Sequence, residues 1–287
     1  MSLCADRVVV VTGAGRGIGR AHALAFADAG ARVVVNDVSA DAAHEVVAEI
    51  GDRAVVNTDD VADWEGAGRL VRTALDVFGG LDVLVNNAGF LRDRMLVTLS
   101  EQEWDDVVRV HLKGHFAPLR HAAAYWRTVS KAGGPVDARV VNTSSGAGLL
   151  GSVGQGNYSA AKAGIAALTL VASAELARYG VAVNAIAPAA RTRMTERTFA
   201  EAMAAPEHGF DAMAPENVSP LVVWLGSAES ADVTGRMFEV DGGRISVAQG
   251  WRHGPVVDKG ARWNPADLGP VVRGLLADHV AEPVYGA

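Results

Sequence analysis

Cysteine is almost absent. Cys4 stands alone in 287 residues, so an internal disulfide framework and a cysteine-rich metal site are excluded, and a reducing, cytoplasmic setting is expected. Positive charge is also short, with a net charge of −7, which argues against nucleic acid as the main partner but leaves room for an anionic small molecule held by a few local arginines. No apolar run is read as reaching the roughly 18–20 residues a bilayer requires, so no membrane partner is expected. The first apolar run, "VVVVTGAG", begins at Val8, too early for a signal peptide to precede it, and the final "VYGA" is not a peroxisomal address. No internal repeat is visible.

What is present is an alternation. Short β-branched runs at 7–12, 32–37, 54–57, 82–87, 139–144, 181–187 and 237–241 are separated by alanine-rich helical stretches near 17–29, 40–50, 63–78, 101–130, 157–179 and 215–226. The runs are apolar on both faces, as strands covered from both sides should be. Repeated βα units of this kind predict a single α/β domain over 1–287, with a doubly wound parallel sheet of about seven strands and helices on both faces. Ser100 followed by Glu103 reads as a capping box, and Pro118 should bend or split the stretch it sits in. From about 247 to 287 the rhythm stops. That tail holds Trp251, Trp263 and four prolines and reads as a docked extension or lid.

The first strand, turn and helix form "VVVVTGAGRGIGRAHALAFADAG". The common dinucleotide spacing G-x-G-x-x-G does not fit, because counting from Gly13 and Gly15 puts Ile18 in the third place. Glycines stand instead at 13, 15, 17 and 19, with Arg16 between them. They still permit a tight turn, close approach of backbone to a pyrophosphate, and a helix start with free N–H groups. Asp37 closes the second strand, where a carboxylate can hold the ribose hydroxyls of NAD and repel the extra phosphate of NADP. Arg16 points the other way, and the expectation is NAD.

Three motifs in order resemble the short-chain dehydrogenase/reductase family: "TGAGRGIG" (12–19), "NNAG" (86–89), and Ser145 with Tyr158-x-x-x-Lys162. The resemblance runs from about residue 5 to 245 and implies a Rossmann-type, NAD-dependent oxidoreductase that commonly forms homodimers or homotetramers. It places Asp60 and Val61 against adenine, Asn87, Ala88 and Gly89 along the cofactor, and Pro188 and Thr192 near the nicotinamide carboxamide, with Ala189 where the family usually has glycine. Tyr158 becomes the proton-transfer residue. Lys162, together with a cationic nicotinamide and a dry pocket, acidifies it and also binds the nicotinamide ribose, while Ser145, rather than Ser144, holds the substrate oxygen. His111 stands where the family usually has asparagine and is expected to anchor a proton-relay water. A narrower resemblance, carried by "VVVNDV", "NNAGFLRDRML", "RVHLKGHF" and "GQGNYSAAKAGI", is to the (3R)-hydroxyacyl-CoA dehydrogenase part of peroxisomal multifunctional enzymes, which also have 17β-hydroxysteroid dehydrogenase activity.

On the residues themselves, Tyr158 and Lys162 share one helix face at i, i+4, flanked by Ala160, Ala163, Gly164 and Ala167, which would admit a close helix neighbour. His111 and His115 have the same spacing, but no glutamate lies between them, so no metal is expected and His115 is read as a packed or surface side chain. Arg92 and Arg94 could meet coenzyme A phosphates, or be solvated. Arg191, Arg193 and Met194 fall in the segment expected to cover substrate. The readings left open are oxidation of a 3-hydroxyacyl thioester, of a hydroxysteroid, reduction of a carrier-protein-bound 3-oxoacyl group and, from another class, a non-catalytic dinucleotide sensor or scaffold.

Overall fold

The computed structural model describes residues 2–192, 205–206, 208–250, 252–277 and 283–285. Arg193, Met194 and Trp251 lie outside the described residues. Eight strands form one sheet in the order β3-β2-β1-β4-β5-β6-β7-β8. They are β1 (Val8–Thr12), β2 (Arg32–Asn36), β3 (Ala54–Asn57), β4 (Val83–Asn86), β5 (Ala138–Thr143), β6 (Val181–Ala189), β7 (Met237–Asp241) and β8 (Arg244–Val247). The first seven run parallel; β8 turns back antiparallel on β7, with Asp241 opposite Arg244. The expected count of about seven thus becomes eight. The exposed strand "RISV" has one apolar residue on each side of a polar one and too little burial to stand out by composition.

Helices cover both faces. On one side α1 (Gly17–Asp28), α2 (Ala40–Ile50) and α8 (Ser219–Leu225) close a core around Phe26, Val33, Val85 and Leu225. On the other, α3 (Trp64–Phe78), α5 (Gly114–Lys131) and α7 (Gly156–Leu176) close one around Leu70, Leu84, Trp126 and Val183. Trp126 is fully buried and its indole N–H donates to the Leu81 carbonyl at 2.6 Å, so a large apolar body, worth about 1.5–3 kcal/mol on burial, enters the core with its polar atom satisfied. Asparagines mark the sheet interior: Asn36 donates to Asn57 at 2.8 Å and Asn86 to Asn142 at 3.0 Å, each pair in register on neighbouring strands.

The stretch read as one helix over 101–130 is three pieces. α4 (Glu101–Val108) opens with both halves of the Ser100–Glu103 capping box; a π-helical turn spans Arg109–Lys113; α5 follows. Pro118 lies inside α5, and the break falls a turn earlier than the proline rule suggests. A π turn re-aims the side chains it carries, and here it carries His111.

The helix Gly156–Tyr179 is long and apolar enough to cross a bilayer by length and composition, contrary to the expectation that no stretch is. Its place is on the sheet: Ala161, Lys162, Ile165 and Thr169 are buried, while Leu170 and Val171 are 57% and 53% exposed. A sheet-facing helix with an unpartnered outer stripe passes the same compositional test as a span.

The tail beyond β8 contains a short 3-10 turn (Pro265–Asp267) and α9 (Leu268–Leu276). It comes back to the body at Tyr285, whose N–H donates to the Gly151 carbonyl at 2.9 Å.

Candidate active site

The strand order reverses between β1 and β4, so the loops after these strands splay apart at their carboxyl ends and leave a crevice. The glycine turn lies on one side of it. Gly13 has φ +61° and Gly17 φ +55°, the left-handed region open to glycine. A Cβ on Gly13 would stand 2.8 Å from the Ala88 Cα, and one on Gly15 2.8 Å from the Asp37 carboxylate. A Cβ on Gly19 would collide with the Gly13 carbonyl. Arg16, at the N-cap of α1, makes no side-chain cap, so the helix start, including Ile18, keeps N–H groups for an anion. The Asp37 carboxylate accepts from Gly15 N at 3.0 Å and from Ser39 N at 2.9 Å, which fixes it at the rim of the turn. This cradle, shaped by missing Cβ atoms and bordered by a fixed carboxylate, fits the pyrophosphate and ribose of a dinucleotide.

The "NNAG" segment braces that cradle from below. Thr12 Oγ1 accepts from Asn87 N (2.9 Å) and Ala88 N (3.1 Å), and Asn87 Nδ2 donates to the Thr12 carbonyl at 3.0 Å. Asn87 therefore spends its amide on the turn rather than directing it outward. Gly89 lies directly under the His111 ring. Asp60 accepts from Ala62 N and from Arg109, both at 2.8 Å, and these donors hold its carboxyl below the usual range against partial burial, while Val61 is buried beside Gly114. Pro188 stands near the end of β6 opposite Val240, and Thr192 reaches toward Gly17.

The other side of the crevice holds the titratable groups. Ser145 caps the short helix α6 (Gly146–Leu150), accepts from Ala147 N at 3.2 Å and hydrogen-bonds the Tyr158 hydroxyl. Ser144 is committed elsewhere: its hydroxyl donates to the Lys162 carbonyl at 2.8 Å. The two serines thus have different partners, one the tyrosine and the other the scaffold. Lys162 is buried, with Nζ 5.4 Å from the Tyr158 ring centroid and donating to the Thr143 carbonyl at 2.6 Å.

Burial dominates the electrostatics of the pair. Burial pushes the Tyr158 phenol up to about 12, against the Ser145 hydrogen bond, and pushes Lys162 down to about 7. Low-dielectric surroundings disfavour the charged forms of both groups.

His111 is buried and its ring meets Tyr158 edge-on, centroids 5.2 Å apart. Its Nε2 lies 3.0 Å from Phe90 N and 2.7 Å from Phe90 O, and Nδ1 has no hydrogen bond among the described residues. Burial, with Lys162 nearby, takes it down to about 3. His111 is therefore a neutral ring clamping the loop after β4, with Nδ1 left for a further partner. His115 is wholly buried, the packed half of its two expected readings.

Two residues here escaped the sequence reading. Asn157 is fully buried; Nδ2 donates to the Arg92 and Glu103 carbonyls (3.2 and 3.1 Å) and Oδ1 accepts from Tyr158 N at 2.8 Å, so one side chain ties the β4 loop, α4 and the tyrosine together. A Cβ on Gly148 would stand 2.7 Å from the Lys162 carbonyl carbon, so α6 seats on α7 where only glycine fits. Their signal in sequence was adjacency to Tyr158 and Ser145, which alone does not separate them from ordinary neighbours. Of the loop arginines, Arg94 pairs with Glu103 at 3.2 Å, Arg92 stacks over Phe90 at 4.7 Å, and Arg191 pairs with Asp211. Among the described residues no cluster of histidine, cysteine and carboxylates could hold a metal.

Comparison with known proteins agrees with this geometry. The sequence model of the short chain dehydrogenase family matches residues 7–202. The chain is 45% identical, over 98% of its length and 92% of the relative's, to the hydroxyacyl-CoA dehydrogenase ChsB1 of Mycobacterium tuberculosis. It is 46% identical over 83% of its length to the peroxisomal multifunctional enzyme type 2 of Mus musculus, of which it spans 32%. A crystal structure of a short chain dehydrogenase from Mycobacterium avium superposes with a TM-score of 0.91 at 63% identity, covering 99% of this chain and 100% of that one.

Proposed function

The chain belongs to the short-chain dehydrogenase family, and from that premise we propose that it moves a hydride between NAD and the secondary alcohol of a 3-hydroxyacyl-CoA thioester. It is an oxidoreductase using a nicotinamide dinucleotide and a small-molecule substrate. The observation that carries the chemistry is the convergence of Ser145, Tyr158 and Lys162 across the crevice from the glycine turn. The thioester is supported by near-full-length similarity to a hydroxyacyl-CoA dehydrogenase, and NAD by the anchored carboxylate of Asp37.

When bound, NAD supplies the hydride acceptor and a positively charged ring. The chain supplies the rest. Ser145 Oγ holds the substrate oxygen and stabilises the charge that develops there. Tyr158 exchanges the proton with that oxygen. As a phenol near 12 it stands ready as the donor for ketone reduction. To serve as base at pH 7 it must fall by about five units, roughly 7 kcal/mol. That demand falls on the charged form of Lys162, the Ser145 hydrogen bond and the cofactor's positive charge together. Lys162, with one proton on Thr143 O, keeps two for a ribose and for the tyrosine. Gly15, Gly17 and the N–H groups opening α1 hold the pyrophosphate.

The assembly we propose is a homodimer or homotetramer, on the exposed Leu170 and Val171 of α7 and Phe116 of α5, and the compartment the cytoplasm, on the lone reduced Cys4. The test is NAD-coupled turnover of 3-hydroxyacyl-CoAs beside steroid alcohols, with Tyr158→Phe as control. Turnover of the thioesters that vanishes in the variant is expected; preference for the steroids would overturn the substrate assignment.

A further inference from the structure

The mouth of the crevice has a wall the catalytic set does not account for. Tyr285, nearly at the end of the chain, lies with its ring flat on Gly146, the residue after Ser145. A Cβ on Gly146 would stand 2.5 Å from Tyr285 Cδ2 and 2.8 Å from Cζ. The ring is held there by main chain, since Tyr285 N donates to the Gly151 carbonyl at the far end of α6 at 2.9 Å. The phenol lies within electrostatic reach of Glu239 and Asp241 on β7. Glu239 and Asp241 raise its proton affinity together with burial, so it stays neutral. It also lies within electrostatic reach of Tyr158. Tyr285 therefore stands against α6, beside the position where Ser145 holds the reacting oxygen.

The ring fills the space that a side chain at 146 would need. Alanine at 146 would lift the ring, and a smaller residue at 285 would open the wall. We propose that Tyr285 is a specificity-determining residue, its ring narrowing the substrate side of the mouth so that slender, straight-chain 3-hydroxyacyl thioesters enter beside Ser145 and bulky fused-ring alcohols do not. The inference rests on the reading of the substrate as a thioester. It assigns Tyr285 no part in proton transfer, because shape rather than the hydroxyl does the selecting. Tyr285 is 40% exposed, so its removal leaves the core intact.

The test measures kcat/KM of the full-length enzyme for a straight-chain 3-hydroxyacyl-CoA and for a fused-ring steroid alcohol in wild type, Tyr285→Ala and Tyr285→Phe. Thermal midpoint and NAD binding are followed alongside. Tyr285→Ala should shift the ratio toward the bulky alcohol by at least tenfold, and Tyr285→Phe, which keeps the ring, by less than twofold. An unchanged ratio in Tyr285→Ala, with NAD binding intact, overturns the proposal, as does a Phe variant that behaves like Ala. A wild-type enzyme that turns over no 3-hydroxyacyl thioester fails the substrate reading instead, a result visible before any variant is made.

Discussion

The glycine turn and the catalytic floor lie side by side on one sheet edge and treat their polar atoms in opposite ways. In the turn the side-chain polar groups are engaged: Thr12 Oγ1 accepts from two N–H groups, Asn87 Nδ2 donates to the backbone of the turn, and Asp37 accepts from two more N–H groups. On the floor, His111 Nδ1 and Thr143 Oγ1 have no hydrogen bond among the described residues, and Tyr158 and Lys162 are moved far from their usual proton affinities. The turn is a rigid mould whose specificity is steric. The floor holds polar groups under the cost of burial, where a bound molecule changes their state. Place is set by backbone shape and chemistry by desolvation.

The sharpest way to separate the two is Tyr158→Phe. It removes one hydroxyl from the floor and touches nothing in the mould. We expect kcat to fall by roughly 10²–10⁴-fold, the range general acid–base catalysis supplies, with NAD affinity by fluorescence titration within twofold of wild type. A parallel loss of NAD binding would show the halves to be one unit.

Acid should strain both halves. His22 on α1, His111 and His115 are all buried, and burial lowers each, His22 and His111 to about 3. A histidine lowered in the folded state takes up its proton first in the unfolded chain. Its contribution is whole above about 6.5 and is lost as pH falls from there toward 3. Each costs about 1.4 kcal/mol per pH unit and three together about 4 kcal/mol per unit. Urea unfolding at pH 7, 6 and 5 measures this, and a flat stability across that range would contradict it. His22 donates to or accepts from Ser219 Oγ at 2.9 Å, so His22→Gln should keep a partner and remove about a third of the slope.

Much of this was legible in the sequence, and for identifiable reasons. The parallel strands announce themselves as β-branched apolar runs, and β1, β2, β4, β5 and β6 are buried along most of their length. β8 is exposed along its whole length and does not. Ser145, Tyr158 and Lys162 are local in spacing and chemistry, so motif and geometry coincide. The proton affinity of Tyr158 depends on burial as well as on the lysine's charge, and burial is set by the fold rather than by helix-face spacing. Asn157, Gly148 and Tyr285 act through contacts with chain 14 to 139 residues away, where no periodicity points.

The mould itself breaks at Gly13→Ala. The new Cβ meets backbone at Ala88 Cα and the turn already needs φ +61°, so nothing flexible can yield. Overpacking of this kind costs about 1–3 kcal/mol, read as a lowered thermal midpoint with weakened NAD binding. Gly243→Ala, with nothing within 4 Å, should be silent. Equal effects at both positions would remove the steric account.

The smallest change probes the rim of the mould, where charge rather than shape decides. Asp37 holds Gly15 N and Ser39 N, so its carboxylate is fixed where a 2′-phosphate on the adenosine ribose would meet like charge. Asp37→Ser keeps a short acceptor for Ser39 N, removes the charge and frees Gly15 N to donate to a phosphate. Arg16, exposed on the same turn, then becomes a net attraction. The ratio of kcat/KM for NAD over NADP should fall at least tenfold, about 1.4 kcal/mol, with the thermal midpoint little changed because serine keeps an acceptor for Ser39 N. Arg16→Ala added to Asp37→Ser should reverse part of the shift. If the ratio moves only with the midpoint, Asp37 acts as a brace for the turn like Asn87, and the choice between cofactors lies elsewhere.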